Sequence, residues 1–218
     1  MDLQQLIDVG VAGFVLLGTL TVTFVRTGRS SSMETVRHLA RLTRRPFNLA
    51  RQRAELASRV EQMRQNGVFR GSVGAVSDPE FADATAALIH HRSTDAMVAE
   101  HQRHRALRHA SLETAVQALE RAGELSPVLG LAGTLLALSQ LPGTDLAGEG
   151  AVMASVSSAV VSTLYGLLLA HLVWHPLASA IERRAKSEEK QREELTMWLV
   201  NQLKPACPTK NAVQRDAA

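Results

Sequence analysis

The sequence predicts an all-α integral membrane protein with three transmembrane helices and a helical cytoplasmic domain. Three observations carry that prediction. Apolar stretches long enough to enter a bilayer lie toward both ends of the chain, with strongly charged sequence between them. Only 4% of residues are aromatic, few for a β-sandwich or barrel, whereas Ala, Leu, Glu and Arg abound. Lys and Arg concentrate in 26–70, 92–121 and 183–215, while the first eight residues and the 142–150 turn carry acids only. The cytoplasmic bias of Lys and Arg produces such a pattern. It also explains the net charge of +3 without a nucleic-acid partner, so none is expected. The single Cys207 excludes an internal disulfide and suggests a reducing side for the C-terminus.

The first span is placed at 5–26. Leu6 to Val25 carries one charge, Asp8, and twenty helical residues reach about 30 Å. A signal peptide needs a basic leading region, but here Arg26 and Arg29 follow the apolar run. An uncleaved anchor with its N-terminus outside is therefore expected. Residues 27–124 read as a cytoplasmic helical region. Gly28 to Ser32 reads as a short break, followed by an amphipathic helix ended by Pro46. A second helix runs from Leu49 to Gln65 and is closed by Gly67. Asp78-Pro79-Glu80 starts another, with a capping acid, a proline at the first helical position and an acid in the first turn. That helix runs to about Arg92. Ser93, Thr94 and Asp95 then cap a long charged helix reaching Ala122 or beyond.

Residues 125–142 form the second span, 143–150 an external turn and 151–176 the third span. The second is short for a bilayer and needs the preceding helix to continue into it. Between Pro127 and Ala170 there is no Lys, Arg or His, and the acids Asp145 and Glu149 lie in the turn. Gly130 and Gly133 allow close helix approach, as does Gly166 in the third span. Residues 177–204 read as a cytoplasmic helix with a Leu195, Trp198, Leu199, Leu203 stripe, and 205–218 as a disordered tail.

No enzyme signature occurs: the chain has no GxxxxGK[ST], GxSxG, HExxH or paired-Cys pattern. No catalytic residue, cofactor or metal is expected. His101 and His104 are neighbours on one helix face, but the Arg-rich window around His90, His91 and His109 favours a solvated face. The hairpin does offer hydroxyls at membrane depth, from Thr134, Ser155, Ser158, Ser162 and Thr163. Carbonyls freed by Pro127 and Pro176 add acceptors. These groups suit either the lining of a cation path or helix–helix glue. Neither hairpin span has an interior carboxylate. A proton relay needs an ionisable group, which leaves His171 at the inner end or an acid from a partner helix.

Two motifs carry a resemblance. P-x-L-G-L-x-G-T-L at Pro127 to Leu135 resembles the third membrane helix of the MotA/TolQ/ExbB superfamily. S-T-L-Y-G-x-L-L-A-x-L-x-x-x-P-L-A at Ser162 to Ala178 resembles the fourth helix of its MotA/PomA branch. The likeness extends loosely through the cytoplasmic region. It implies a stator-like proton or sodium channel subunit of the bacterial inner membrane that couples ion flow to mechanical work, as in a flagellar motor. It also implies a lipid-embedded homopentamer around a MotB-like single-span partner whose transmembrane Asp carries the ion. Pro127 and Pro176 match the prolines that couple ion transit to cytoplasmic movement. Thr134 and Thr163 match hydroxyls lining the ion path, and Ser162 sits where sodium-type members usually have Thr.

Three departures qualify the resemblance. One N-terminal span stands where the branch has two. Arg64 matches a rotor-facing Arg, but Ser72 stands where the paired Glu is usual, which leaves Arg64, Arg70 and Glu80 for another partner. His171 replaces a usual Asn, and His175 precedes Pro176; either can be an interfacial side chain or a tuned proton group. A non-conducting membrane scaffold of the same fold is the alternative expectation.

Overall fold

The computed structural model describes residues 9–44, 47–66, 78–140 and 149–206. Helices dominate: α1 (Val9–Thr43), α2 (Leu49–Asn66), α3 (Pro79–His91), α4 (Thr94–Ser139) and α5 (Glu149–Leu168). A π-helical segment, Leu169–Trp174, joins α5 to α6 (His175–Leu203), and a 3-10 turn covers Lys204–Ala206. No strand occurs among the described residues, so the chain is all-α as its composition predicts. Among the described residues, three helical stretches are long and apolar enough to cross a membrane: Gly10–Thr43, Thr94–Ser139 and Val152–Leu203.

Local chemistry explains the helix ends. Asp78 caps α3 by accepting from the Glu80 N–H at 3.1 Å, and Pro79 opens the helix where a missing N–H costs nothing. Arg92, at φ 54, closes it in the left-handed region. Ser93 Oγ then accepts from the Asp95 N–H at 3.1 Å, and α4 continues through Pro127 to Ser139. The break expected over Gly28 to Ser32 is narrower in the structure. Helix continues on both sides, and Gly28 alone departs, at φ 80 and ψ 167. Glycine tolerates that conformation, and the Ser32 hydroxyl donates to the Gly28 carbonyl at 2.8 Å, which satisfies the kink locally.

The chain divides into two compact units. The first comprises Met1–Arg44 and Ser111–Arg183. There α1 packs on α5, and Leu119, Ala122, Trp174, Ala178 and Ile181 form a buried cluster. Large apolar side chains on its outer faces, among them Leu17, Val25, Leu135 and Met153, stay exposed. Such a surface is unfavourable in water and suited to lipid or a partner helix.

The second unit comprises Arg45–Ala110 and Arg184–Ala218. Its core joins Leu56, Phe81, Leu88 and Met97 to the α6 stripe of Leu195, Leu199 and Leu203. A charged network crosses that core. Glu80, 3% exposed, is held by Arg108 at 2.5 Å, Arg192 at 2.6 Å and His101 Nδ1 at 2.7 Å. Arg192 also pairs with Asp78 at 2.7 Å and lies 4.5 Å from the Phe47 ring centre. Burial pushes the Glu80 carboxyl up, but the His101 hydrogen bond and the two guanidinium charges outweigh it and hold the group below its usual value.

Two expectations are corrected here. Glu80 is no exposed handle for a partner, because its carboxylate closes the core. His101 is not on a solvated face: it is 6% exposed, turned inward between Glu80 and Thr196 Oγ1. Helical periodicity gives the face on which a His lies, but a carboxylate 21 positions away decides whether it is buried.

Candidate functional site

The candidate site is the crossing of α4 and α5 in the first unit. Glycines make it tight. A Cβ on Gly130 would come within 2.9 Å of the Ser162 carbonyl, and one on Gly166 within 2.6 Å of the Ser126 carbonyl and 3.1 Å of Pro127 Cα. A Cβ on Gly133 would collide with Ser162 Oγ. The two backbones therefore touch, as small-xxx-small spacing permits. Ser162, 1% exposed, donates its hydroxyl across the crossing to the Gly130 carbonyl at 3.0 Å.

The structure thus brings Pro127, Gly130, Gly133, Ser162 and Gly166 together, with Thr163 at the same contact through its backbone. Thr134 lies one turn beyond Gly130, half-buried, and its hydroxyl donates to its own helix at Leu131 O, 2.6 Å away. Pro176 follows the π-helical segment and is not part of the crossing. His171 lies exposed within that segment, its ring centre 5.5 Å from that of His175. The His175 imidazole sits over Gly123, where an added Cβ would meet Cε1 at 2.8 Å. Arg64 is on the last turn of α2, in the second unit. Arg70 and Ser72 lie outside the described residues.

Sequence reasoning missed a second polar knot. Trp174 Nε1–H donates to Ser126 Oγ at 2.8 Å, Ser126 Oγ lies 3.2 Å from Thr19 Oγ1, and Thr19 and Ser126 are fully buried. Thr19 starts a column on α1 at i+4 spacing. Its next members, Thr23 and Thr27, have buried hydroxyl oxygens with no hydrogen-bond partner among the described residues. The spacing of these threonines on an apolar helix was a readable signal; the partners were not.

For a metal, Asp83, Glu100 and His104 bring one ligand atom each within 4.8 Å of one another. Those atoms are already engaged: His104 Nε2 contacts Asp83 at 3.1 Å, and Arg103 pairs with Glu100 at 2.9 Å. The added guanidinium opposes a cation.

Comparison with known proteins identifies the family and the fold. Residues 75–194, more than half of the chain, match the profile of the MotA/TolQ/ExbB proton channel family. Over 92 residues the chain is 33% identical to Motility protein A of Bacillus subtilis (strain 168), covering 40% of this chain and 32% of that relative. Over 73 residues it is 37% identical to Uncharacterized protein YtxD of the same organism, covering 32% of this chain and 25% of that relative. The matches thus span about a third and a quarter of those relatives. In fold the chain is similar to C. jejuni MotAB, with a TM-score of 0.79 at 16% identity, over 94% of this chain and 81% of that one. It is also similar to the flagellar MotAB stator complex from Bacillus subtilis, with a TM-score of 0.77 at 18% identity, over 93% and 81%.

Proposed function

The chain belongs to the MotA/TolQ/ExbB proton channel family, and from that premise we propose that it is the channel subunit of a stator-type inner-membrane complex. It couples the flow of protons or sodium ions to movement of another protein. The reading rests chiefly on one observation: a tight α4–α5 crossing furnished with hydroxyls and carbonyls, and without a carboxylate. Ser162, Thr163 and Thr134 offer oxygen to a partly dehydrated cation, Pro127 and Pro176 supply the flexible points, and Gly130, Gly133 and Gly166 set the spacing. A site of that kind can pass an ion but cannot load it. The loading group is a transmembrane Asp on a MotB-like single-span partner, and several copies of this chain, five by family likeness, surround it.

In this reading 5–26, 125–142 and 151–176 lie in the membrane. The N-terminus and 143–150 face outward, and 27–124 with 177–204 face the cytoplasm, followed by the 205–218 tail. Arg64 and Arg70 meet the cytoplasmic partner. His171 stands at the inner end, as an interfacial side chain or a proton-tuning group. Co-expression with a single-span, Asp-bearing protein should give ion-dependent work, or growth inhibition by leak. If Thr163→Val and Pro127→Ala leave that activity untouched, the ion-path assignment is wrong.

One observation favours a second reading, a non-conducting scaffold. The Ser162 and Thr134 hydroxyls are both bonded to backbone carbonyls, as helix glue would be. Absence of any partner with an intramembrane Asp, together with ion-tight vesicles, would establish the scaffold instead.

A further inference from the structure

We propose that Ser126 is a positioning residue that latches the two proline-bearing segments into one moving body through its hydrogen bond with Trp174. The inference rests on the channel reading above and names a residue that the reading does not use. Ser126 stands immediately before Pro127, and Trp174 stands two residues before Pro176. The indole N–H of Trp174 donates to Ser126 Oγ at 2.8 Å, and Ser126 Oγ donates to the Ala122 carbonyl at 2.9 Å. Thr19 Oγ1, on α1, lies 3.2 Å away and bonds the Val15 carbonyl at 2.7 Å. Segments from three parts of the chain therefore meet at one oxygen.

The proton count shows why the bond to Trp174 matters most. Thr19 and Ser126 bring one hydroxyl proton each, and each proton has two oxygen acceptors in reach: a carbonyl of its own helix, Val15 O or Ala122 O, and the other hydroxyl. The hydroxyls can rotate among these acceptors without losing their place. The indole N–H has no such choice, because it donates only and Ser126 Oγ is its acceptor in a buried setting. Leaving it unpaired among apolar groups is costly. The pair is therefore closed or broken, with little between.

Backbone form points the same way. Pro176 has no N–H for the carbonyl four residues earlier, and the chain answers with the π-helical segment Leu169–Trp174, in which the His175 N–H reaches the Ala170 carbonyl. Such wide turns are rare and tend to mark functional positions. This one leaves Leu172 69% exposed and turns Trp174 inward at 7%. Gly166, against the Ser126 carbonyl and Pro127, removes slack on the other side. A shift at one proline is then carried to the other, and ion passage is tied to a coordinated movement. Without the latch the segments move separately and ions leak.

The test has two arms on the full chain. In a Trp198→Phe background Trp174 is the sole tryptophan of the two in the chain. Its ultraviolet resonance Raman signal for indole N–H bonding should weaken on Ser126→Ala and remain on Ser126→Thr. An unchanged signal in Ser126→Ala overturns the latch. For the second arm, the chain with its co-purified single-span partner is placed in vesicles under an imposed proton or sodium gradient, read by an ion-sensitive dye. Ser126→Ala and Trp174→Phe should each raise flux at least fivefold. The double variant should rise no further than the singles, and Ser126→Thr should stay near the parent. Flux within twofold of the parent in both single variants, with only a lowered melting temperature, reduces the pair to packing and overturns the coupling role. A parent complex without flux overturns the channel reading and the coupling role together, while the Raman arm still decides the bond.

Discussion

The two units of this chain solve the burial of polar groups in opposite ways. The first unit brings helices close by removing side chains. Gly130, Gly133 and Gly166 let backbones touch, and single hydroxyls, Ser162 and Ser126, bridge what remains. The second unit buries full charges and neutralises them. Glu80, Asp78, Arg108 and Arg192 form a network behind Phe47 and Phe81. The difference follows from the surroundings. Charges at membrane depth are expensive, so close contact and neutral hydroxyls suffice there. A small helical unit in water can hold buried ions if each finds a partner.

The contrast orders the expected effects of substitution. Glu80→Gln should be the most damaging, by about 3 kcal/mol, because it removes the buried carboxylate shared by His101, Arg108 and Arg192, while Glu189 and Asp78 still pair the two half-buried guanidinium groups. Denaturant unfolding of the purified chain, followed by a probe in the second unit, reads that loss. A parent-like midpoint would mean that Glu189 and Asp78, rather than Glu80, satisfy Arg108 and Arg192. The same carboxylate sets a pH dependence. Its folded pKa is lowered, so its stabilisation is present above the unfolded value of about 4.3. That stabilisation fades as pH falls below it, through the lower folded value. An acid titration of Glu80→Gln should lack the part of the transition that belongs to this group.

Gly166→Val comes next. Its added atoms meet the Ser126 carbonyl and Pro127, so overpacking should cost about 1–3 kcal/mol. Resistance to unfolding in mixed detergent should fall while the second unit keeps its stability. Ser162→Ala should cost less, about 0.6 kcal/mol and at most about 1.7, the range for hydrogen bonds between membrane helices. An effect as large as that of Gly166→Val would show that the hydroxyl, not close packing, holds the crossing. His104→Ala should be the mildest. Its pairs with Asp83 and Glu100 are partly exposed, and such pairs contribute about 0–1 kcal/mol. A larger loss would mark the cluster as more than a surface pair.

Legibility differed between the units as well. In the first, the crossing was readable because small residues recur at helical spacing and no charge interrupts them. Gly130, Gly133, Ser162 and Gly166 could be named before any geometry. The Ser126–Trp174 bond could not, since a lone serine before a proline looks like any other and its partner is 48 positions on. In the second unit the Asp78-Pro79-Glu80 start was readable, but Glu80 looked like an exposed first-turn acid. Its burial depends on Arg192, 112 positions away, which no local pattern reports.

By itself, the sequence determined what short-range physics controls: helix throughout, three apolar stretches of membrane length, the cap of α3, and the close-packing face of the hairpin. Propensity, capping and periodicity act within a turn or two, so they can be read from neighbours. The tertiary structure decided which polar groups are buried and by whom they are satisfied. It turned His101 inward and closed Glu80 between two arginines. It reduced the expected break at 28–32 to one glycine, and it brought Thr19, Ser126 and Trp174 to a single oxygen. Those outcomes depend on pairings across the chain, where the cost of an unsatisfied buried group is met only once the helices have packed.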